Sequence, residues 1–199
     1  MTGVGIYLFD DVEVLDFAGP FEVFSTASRL HAKTADHDLF AVFTISDEAR
    51  TVRARGGLAV KTQHSFGDHP PIDVLIVPGG NVDAELRRGD VIRWIADTGA
   101  STRVTASVCT GALLLAAAGL LDGKRATTHW EDIEQLRRDF PAVRVEAGPR
   151  WIDEGEVVTS AGISAGIDMS LHLVRRLAGP ELASMTARQM DFEWTERGA

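Results

Sequence analysis

The residue pattern that most directly offers chemistry surrounds Cys109. The β-branched stretch Val104-Thr105-Ala106-Ser107-Val108 runs into the cysteine, and Thr110-Gly111-Ala112-Leu113 leaves it at once. A strand that ends in a cysteine and turns directly into a small-residue helix must turn sharply. This is the logic of a nucleophile elbow, which lifts a side chain to the carboxyl edge of a sheet. Such a turn stores about 1–3 kcal/mol of backbone strain, which only surrounding packing can hold. A thiol there faces the positive end of the helix dipole and unpartnered N–H groups, which predicts a pKa below the free value of about 8.5. The competing reading of a lone cysteine is an inert small core residue. The small residues on both sides of Cys109 favour the elbow.

Other segments can serve the same edge. Val77-Pro78-Gly79-Gly80-Asn81 follows an apolar run. Its paired glycines let backbone N–H groups approach a bound atom, as an oxyanion hole requires, or they form an ordinary turn. Asp16 lies between apolar residues in Val14-Leu15-Asp16-Phe17-Ala18-Gly19-Pro20. It reads equally as a helix N-cap or as a buried acid with a raised pKa, able to hydrogen-bond the sulfur or donate a proton. Thr110 offers a hydroxyl next to the thiol, for a reacting group or for capping the helix. His129 follows Cys109 by one helix and one short strand, which fits a return to the same edge, as a base or as a structural histidine. His31, His37, His64, His69 and His172 show no metal-ligand spacing, and there is no H-E-x-x-H or phosphate-loop pattern. No metal is expected.

The elements that must position these residues alternate between strand and helix. Val4 to Phe9, Leu39 to Ile45, Leu58 to Thr62, Asp73 to Val77 and Arg103 to Val108 read as strands, most of them continuously apolar. Gly19-Pro20 opens a helical pattern with Phe21, Phe24 and Ala27 on one face. Val91, Trp94 and Ile95 mark a helix, as do Thr110 to Ala118 and Asp132 to Phe140. Arg150 to Thr159 reads as a hairpin turning at Asp153-Glu154-Gly155, and Ile163 to Leu177 and Glu181 to Met190 as closing helices. His64 to Pro71 is the loosest stretch. The pattern predicts one α/β domain over residues 1–199, with a mostly parallel central sheet and helices on both faces.

Composition narrows the classes. A chain of 199 residues with 45% hydrophobic and 25% charged residues is neither disordered nor fibrous. A net charge of -9 repels a phosphate backbone, so no nucleic-acid partner is expected. The longest apolar run, Gly111 to Leu121, is too short to span a membrane, and the N-terminus carries no basic leader. One cysteine cannot form an internal disulfide, which suits a reducing, cytoplasmic setting.

Taken in order, Leu15 to Pro20, Val77 to Gly80, Ser107 to Ala112, Gly119 to Trp130 and Ala161 to Asp168 give the chain a resemblance to the ThiJ/PfpI superfamily. The resemblance implies a flavodoxin-like, class I glutamine amidotransferase-like sandwich and a homodimer. It also implies a small-molecule substrate and no cofactor. Deglycase and glyoxalase-like members carry Glu where Asp16 stands, and protease-like members carry His where Thr110 stands. Asp16 with Cys109-Thr110 instead resembles the isocyanide hydratase branch. That branch implies attack of Cys109 on an isocyanide carbon, proton transfer by Asp16, and a site shaped by Thr110, Gly79 and Gly80, with His129 in support. Related ligand-sensing domains precede a helix-turn-helix domain in transcription regulators; nine residues after Met190 leave no room for one here. A redox or ligand sensor using an oxidisable Cys109 is the alternative of a different class, and a glyoxalase or deglycase is a further one.

Overall fold

The computed structural model describes residues 1–35 and 37–195. In chain order the elements begin with β1 (Thr2–Tyr7), α1 (Val14–Ala35), β2 (Phe40–Ser46), β3 (Thr51–Arg53), β4 (Ala59–Lys61) and β5 (His64–Ser65). They continue with β6 (Val74–Val77), α2 (Asp83–Leu86), α3 (Gly89–Gly99), β7 (Val104–Val108), α4 (Gly111–Ala117) and β8 (Arg125–Ala126). The last are α5 (Ile133–Asp139), β9 (Arg144–Val145), β10 (Trp151–Asp153), β11 (Val157–Ser160), α6 (Ala165–Ala178) and α7 (Pro180–Gln189).

Among the described residues, seven strands form the central sheet in the order β10-β11-β7-β6-β1-β2-β5. Every neighbouring pair is parallel except β10 with β11. The strands read as unbroken apolar runs because both of their faces are covered: all four residues of β6 are buried, as are all five of β7. Helices α1, α6 and α7 pack together over the sheet, while α2, α3 and α4 form a second group on β6 and β7.

From β1 the chain moves outward to β2, and from β6 it moves the opposite way to β7 and β11. Crossovers of one hand therefore put α1 and α3 on opposite faces. The reversal between β1 and β6 leaves a crevice at the carboxyl ends of these strands, where ligands of open α/β sheets bind.

The hairpin forms as read, with Trp151 opposite Ser160 and the Gly155 N–H donating to Asp153 Oδ1 at 2.8 Å. Strands β3 and β9 and helix α2 have no counterpart in the sequence reading, and two further segments differ from it. Helix α1 starts at Val14, so Gly19-Pro20 lies inside it. Pro20 has no N–H to give the Asp16 carbonyl, and its ring crowds that carbonyl. The stretch read as loose, His64 to Pro71, contains edge strand β5, which pairs with β2 at Ile45 and Ser46. Two residues of strand carry too little pattern to be seen.

Candidate active site

Cys109 sits on the elbow that its neighbours require. Its φ is +55°, a left-handed conformation that a non-glycine residue adopts only under tertiary constraint. The constraint is visible. The Cys109 N–H donates to the carbonyls of Ser160 and Ala161, both at 3.2 Å, and its own carbonyl accepts from the Thr128 hydroxyl at 2.8 Å. Among the described residues, four non-glycine positions have positive φ. Cys109 and Ile163 (+48°) line one cavity, and Asp11 (+66°) lies at the adjoining loop, where its carbonyl accepts from the Asn81 N–H.

Asp16 comes from the first turn of α1 and is fully buried. It is the third residue of the helix, so the N-cap reading does not hold. Oδ2 accepts from the Gly79 N–H at 3.0 Å, and Oδ1 has no hydrogen-bond partner of normal geometry among the described residues. Burial pushes the carboxyl up to about 7, with Glu13 adding to the rise. The Gly79 N–H, the Cys109 thiol and Arg55 pull it partly back.

The thiol departs from the sequence expectation. Burial, and next the charge of Asp16, push Cys109 up to about 12, against the opposing amide and hydroxyl of Thr110. The predicted depression fails for a physical reason. Helix α4 has only seven residues, and its positive end is weaker than desolvation beside a carboxylate. Asp16 and Cys109 thus form a coupled pair that gives up a first proton near neutrality and holds the second far above it.

Gly79, Gly80 and Thr110 converge on this pair, but not as an oxyanion hole. The Gly79 N–H is committed to Asp16, and the Gly80 N–H donates to Thr110 Oγ1 at 2.9 Å. The Thr110 hydroxyl donates in return to the Gly80 carbonyl at 2.9 Å. These groups clamp the loop after β6 to the elbow after β7. Gly79 is required there: a Cβ would lie 2.5 Å from Thr110 Oγ1 and 2.6 Å from Thr110 N. Isolated bridging between Val12 and Gly80 ties the loop after β1 to the same place.

A cavity of about 200 Å³ opens over the sulfur, lined in part by Cys109, Thr110, Gly80 and His129. His129 returns to the edge as its spacing predicts. Its Nδ1 accepts from the Glu131 N–H at 3.3 Å, and its ring packs so closely on Gly162 that a Cβ there would meet Cδ2 at 2.3 Å. Sequence reasoning missed Glu13, Arg55, Glu131, Asp132 and Ile163, which complete the lining. Arg55 lies in a basic stretch that has no local tie to the elbow, and Ile163 has no signal short of its φ. No cluster of three or more His, Cys, Asp or Glu side chains suited to a metal occurs among the described residues. No described helix is long and apolar enough to cross a membrane.

An acid after the first strand, a glycine clamp after the central strand and a cysteine elbow after the next form a combination that can be set against known proteins. Residues 3–176 match the DJ-1/PfpI family. The chain belongs to that family. Among its relatives, isonitrile hydratase of Pseudomonas putida is 35% identical over 190 residues, which span 95% of this chain and 78% of the hydratase. The HTH-type transcriptional regulator CdhR of Pseudomonas aeruginosa is 31% identical over 92% of this chain, which spans about half (52%) of the regulator's length. A ThiJ/PfpI family protein from Pseudomonas syringae superposes with a TM-score of 0.85 at 27% identity, covering 98% of this chain and 76% of that one. Drosophila melanogaster DJ-1beta superposes with a TM-score of 0.82 at 18% identity, covering 97% and 99%, a likeness of fold. The sandwich expected from the sequence is the fold observed.

Proposed function

We propose that the protein is a cofactor-independent hydratase that converts isocyanides to N-substituted formamides through a thioimidate on Cys109. The observation that carries the reading is the buried pairing of Asp16 with Cys109 beneath an open cavity. The identity shared with isonitrile hydratase gives it a substrate class.

The geometry supports the following chemistry. Within the pair, the thiol proton passes to Asp16 as sulfur attacks the terminal isocyanide carbon, so no thiolate needs to stand exposed at rest. Asp16 returns that proton to the same carbon, giving a thioimidate. Water then adds to the carbon and sulfur departs, leaving the formamide and restoring the pair. Splitting a slow hydration into two steps is what a covalent nucleophile achieves. Gly79 holds the acid through its N–H, the Thr110 amide addresses the sulfur while its hydroxyl holds the Gly80 backbone, and His129 closes one side of the cavity.

Turnover of an aliphatic isocyanide to its formamide, lost in Cys109→Ser, tests the reading. Turnover that persists in Cys109→Ser rejects every thiol mechanism. A second reading, a ligand or redox sensor, draws on the likeness to CdhR. Absence of turnover together with ready peroxide oxidation of Cys109 would select it. Within the same proposal the protein works in the cytoplasm as a homodimer. The apolar face formed by Phe17, Ala18 and Phe21 of α1 with Val60 of β4 offers a surface for a second copy.

A further inference from the structure

We propose that the cavity over Cys109 accepts substrates whose non-reacting end carries a positive charge and turns away those bearing a carboxylate. The inference deepens the hydratase reading by naming a substrate class, and rests on it only in taking this cavity as the reacting site.

Charge around the cavity carries the argument. Three carboxylates line it, those of Glu13, Glu131 and Asp132, against one guanidinium, that of Arg55. Arg55 is already spent on Glu13, with Nη1 3.4 Å from Oε2. Glu131 and Asp132 have no such partner in the lining. Their oxygens lie 3.7 Å and 3.4 Å from His129 Nδ1. That nitrogen accepts the Glu131 N–H at 3.3 Å, so in this arrangement it is not placed to donate a hydrogen bond to either carboxylate. Among the described residues the lining thus carries more carboxylates than guanidinium groups, above the buried carboxyl of Asp16. The overall charge of -9 reinforces the same sign at longer range. Ile163, exposed by 39%, supplies the apolar part of the rim, where the uncharged stem of a substrate can lie. A carboxylate entering here meets like charge without a free guanidinium, whereas an ammonium group meets two carboxylates.

Cys109 is the only cysteine of the chain, so any thiol reagent reads this cavity alone. The probes are 2-aminoethyl methanethiosulfonate, a cation, and 2-sulfonatoethyl methanethiosulfonate, an anion of the same reactive group. In each case sulfur of Cys109 attacks the thiosulfonate, forms a mixed disulfide and releases methanesulfinate. Rates are taken as the cation-to-anion ratio, divided by the same ratio for neutral 2-mercaptoethanol. The expected ratio at low salt is about tenfold or more, shrinking several-fold when ionic strength is raised to about 0.5 M. Glu131→Gln combined with Asp132→Asn should bring it toward one. A ratio near one in the unmodified protein, or a preference for the sulfonate, overturns the proposal and assigns the field to Arg55. The unmodified protein and its salt dependence decide the matter even where the double variant fails to fold. No isocyanide takes part, so failure of the hydratase reading registers separately.

Discussion

Replacing Asp16 with Asn should stabilise the protein, and by an amount that grows with pH. The folded carboxyl titrates at about 7, against 3.8 for the unperturbed group. Between those values the native state keeps a proton that the unfolded chain has lost. The contribution of Asp16 is therefore most favourable below pH 4, declines as pH rises toward 7, and is level above it. At about 1.4 kcal/mol per unit, the buried acid costs about 2 kcal/mol at pH 5 and about 4 kcal/mol at pH 8. Asn keeps the volume, and its carbonyl can still accept the Gly79 N–H, yet it never ionises. Denaturant titrations at several pH values should show the two proteins converging near pH 4 and separating by roughly 2–3 kcal/mol more at pH 8 than at pH 5. At pH 8 the difference corresponds to roughly 8–16 °C in Tm for a chain of this length. Stability curves that run parallel across the whole range would refute the buried, proton-holding acid and with it the paired mechanism. The gain should come with lost turnover, because the amide cannot take the thiol proton.

Three further outcomes follow from the same geometry. In Asp16→Asn, where no carboxylate can take the thiol proton, alkylation of Cys109 by iodoacetamide should climb about tenfold per pH unit from pH 7 to 9, since burial pushes the thiol up; a plateau by pH 8 in that variant would show a thiolate already formed. Gly79→Ala forces a methyl group to 2.5 Å from Thr110 Oγ1, and should cost about 1–3 kcal/mol in a denaturation midpoint while it uncouples Asp16 from the elbow. Thr110→Val removes both partners of the Gly80 backbone and should cost about 1–3 kcal/mol, with Thr110→Ser restoring most of it. A valine variant of full stability would show that the clamp between the two loops carries nothing.

Much of this was legible in the residues themselves. β6 and β7 announce themselves as unbroken apolar runs because the sheet covers them on both faces, and the elbow is visible because only small residues fit beside it. Asp16 stands out as an acid in apolar company, but the local residues fit a helix cap equally well, and only the start of α1 at Val14 separates the two. The direction of the thiol's titration differs from the sequence expectation because sequence shows the helix start and hides both the burial of the sulfur and the carboxylate across the crevice. The glycine loop was placed correctly and given the wrong task, since the partners of its N–H groups come from positions 63 and 30 residues away. Arg55, Glu13 and Ile163 had no local signal, because their part depends on segments that only the folded sheet brings together.

The reversal of strand order between β1 and β6 has a consequence for how the protein comes to work. Residues 16, 79, 109, 129 and 163 meet only once both halves of the sheet have docked on their shared centre. No fragment, and no half-formed sheet, can assemble the reacting groups by itself. The paired environment of Asp16 and Cys109 should therefore form late in refolding, and loosening at the crevice should release the thiol toward its ordinary range, which makes thiol chemistry a sensitive clock for the integrity of the whole molecule.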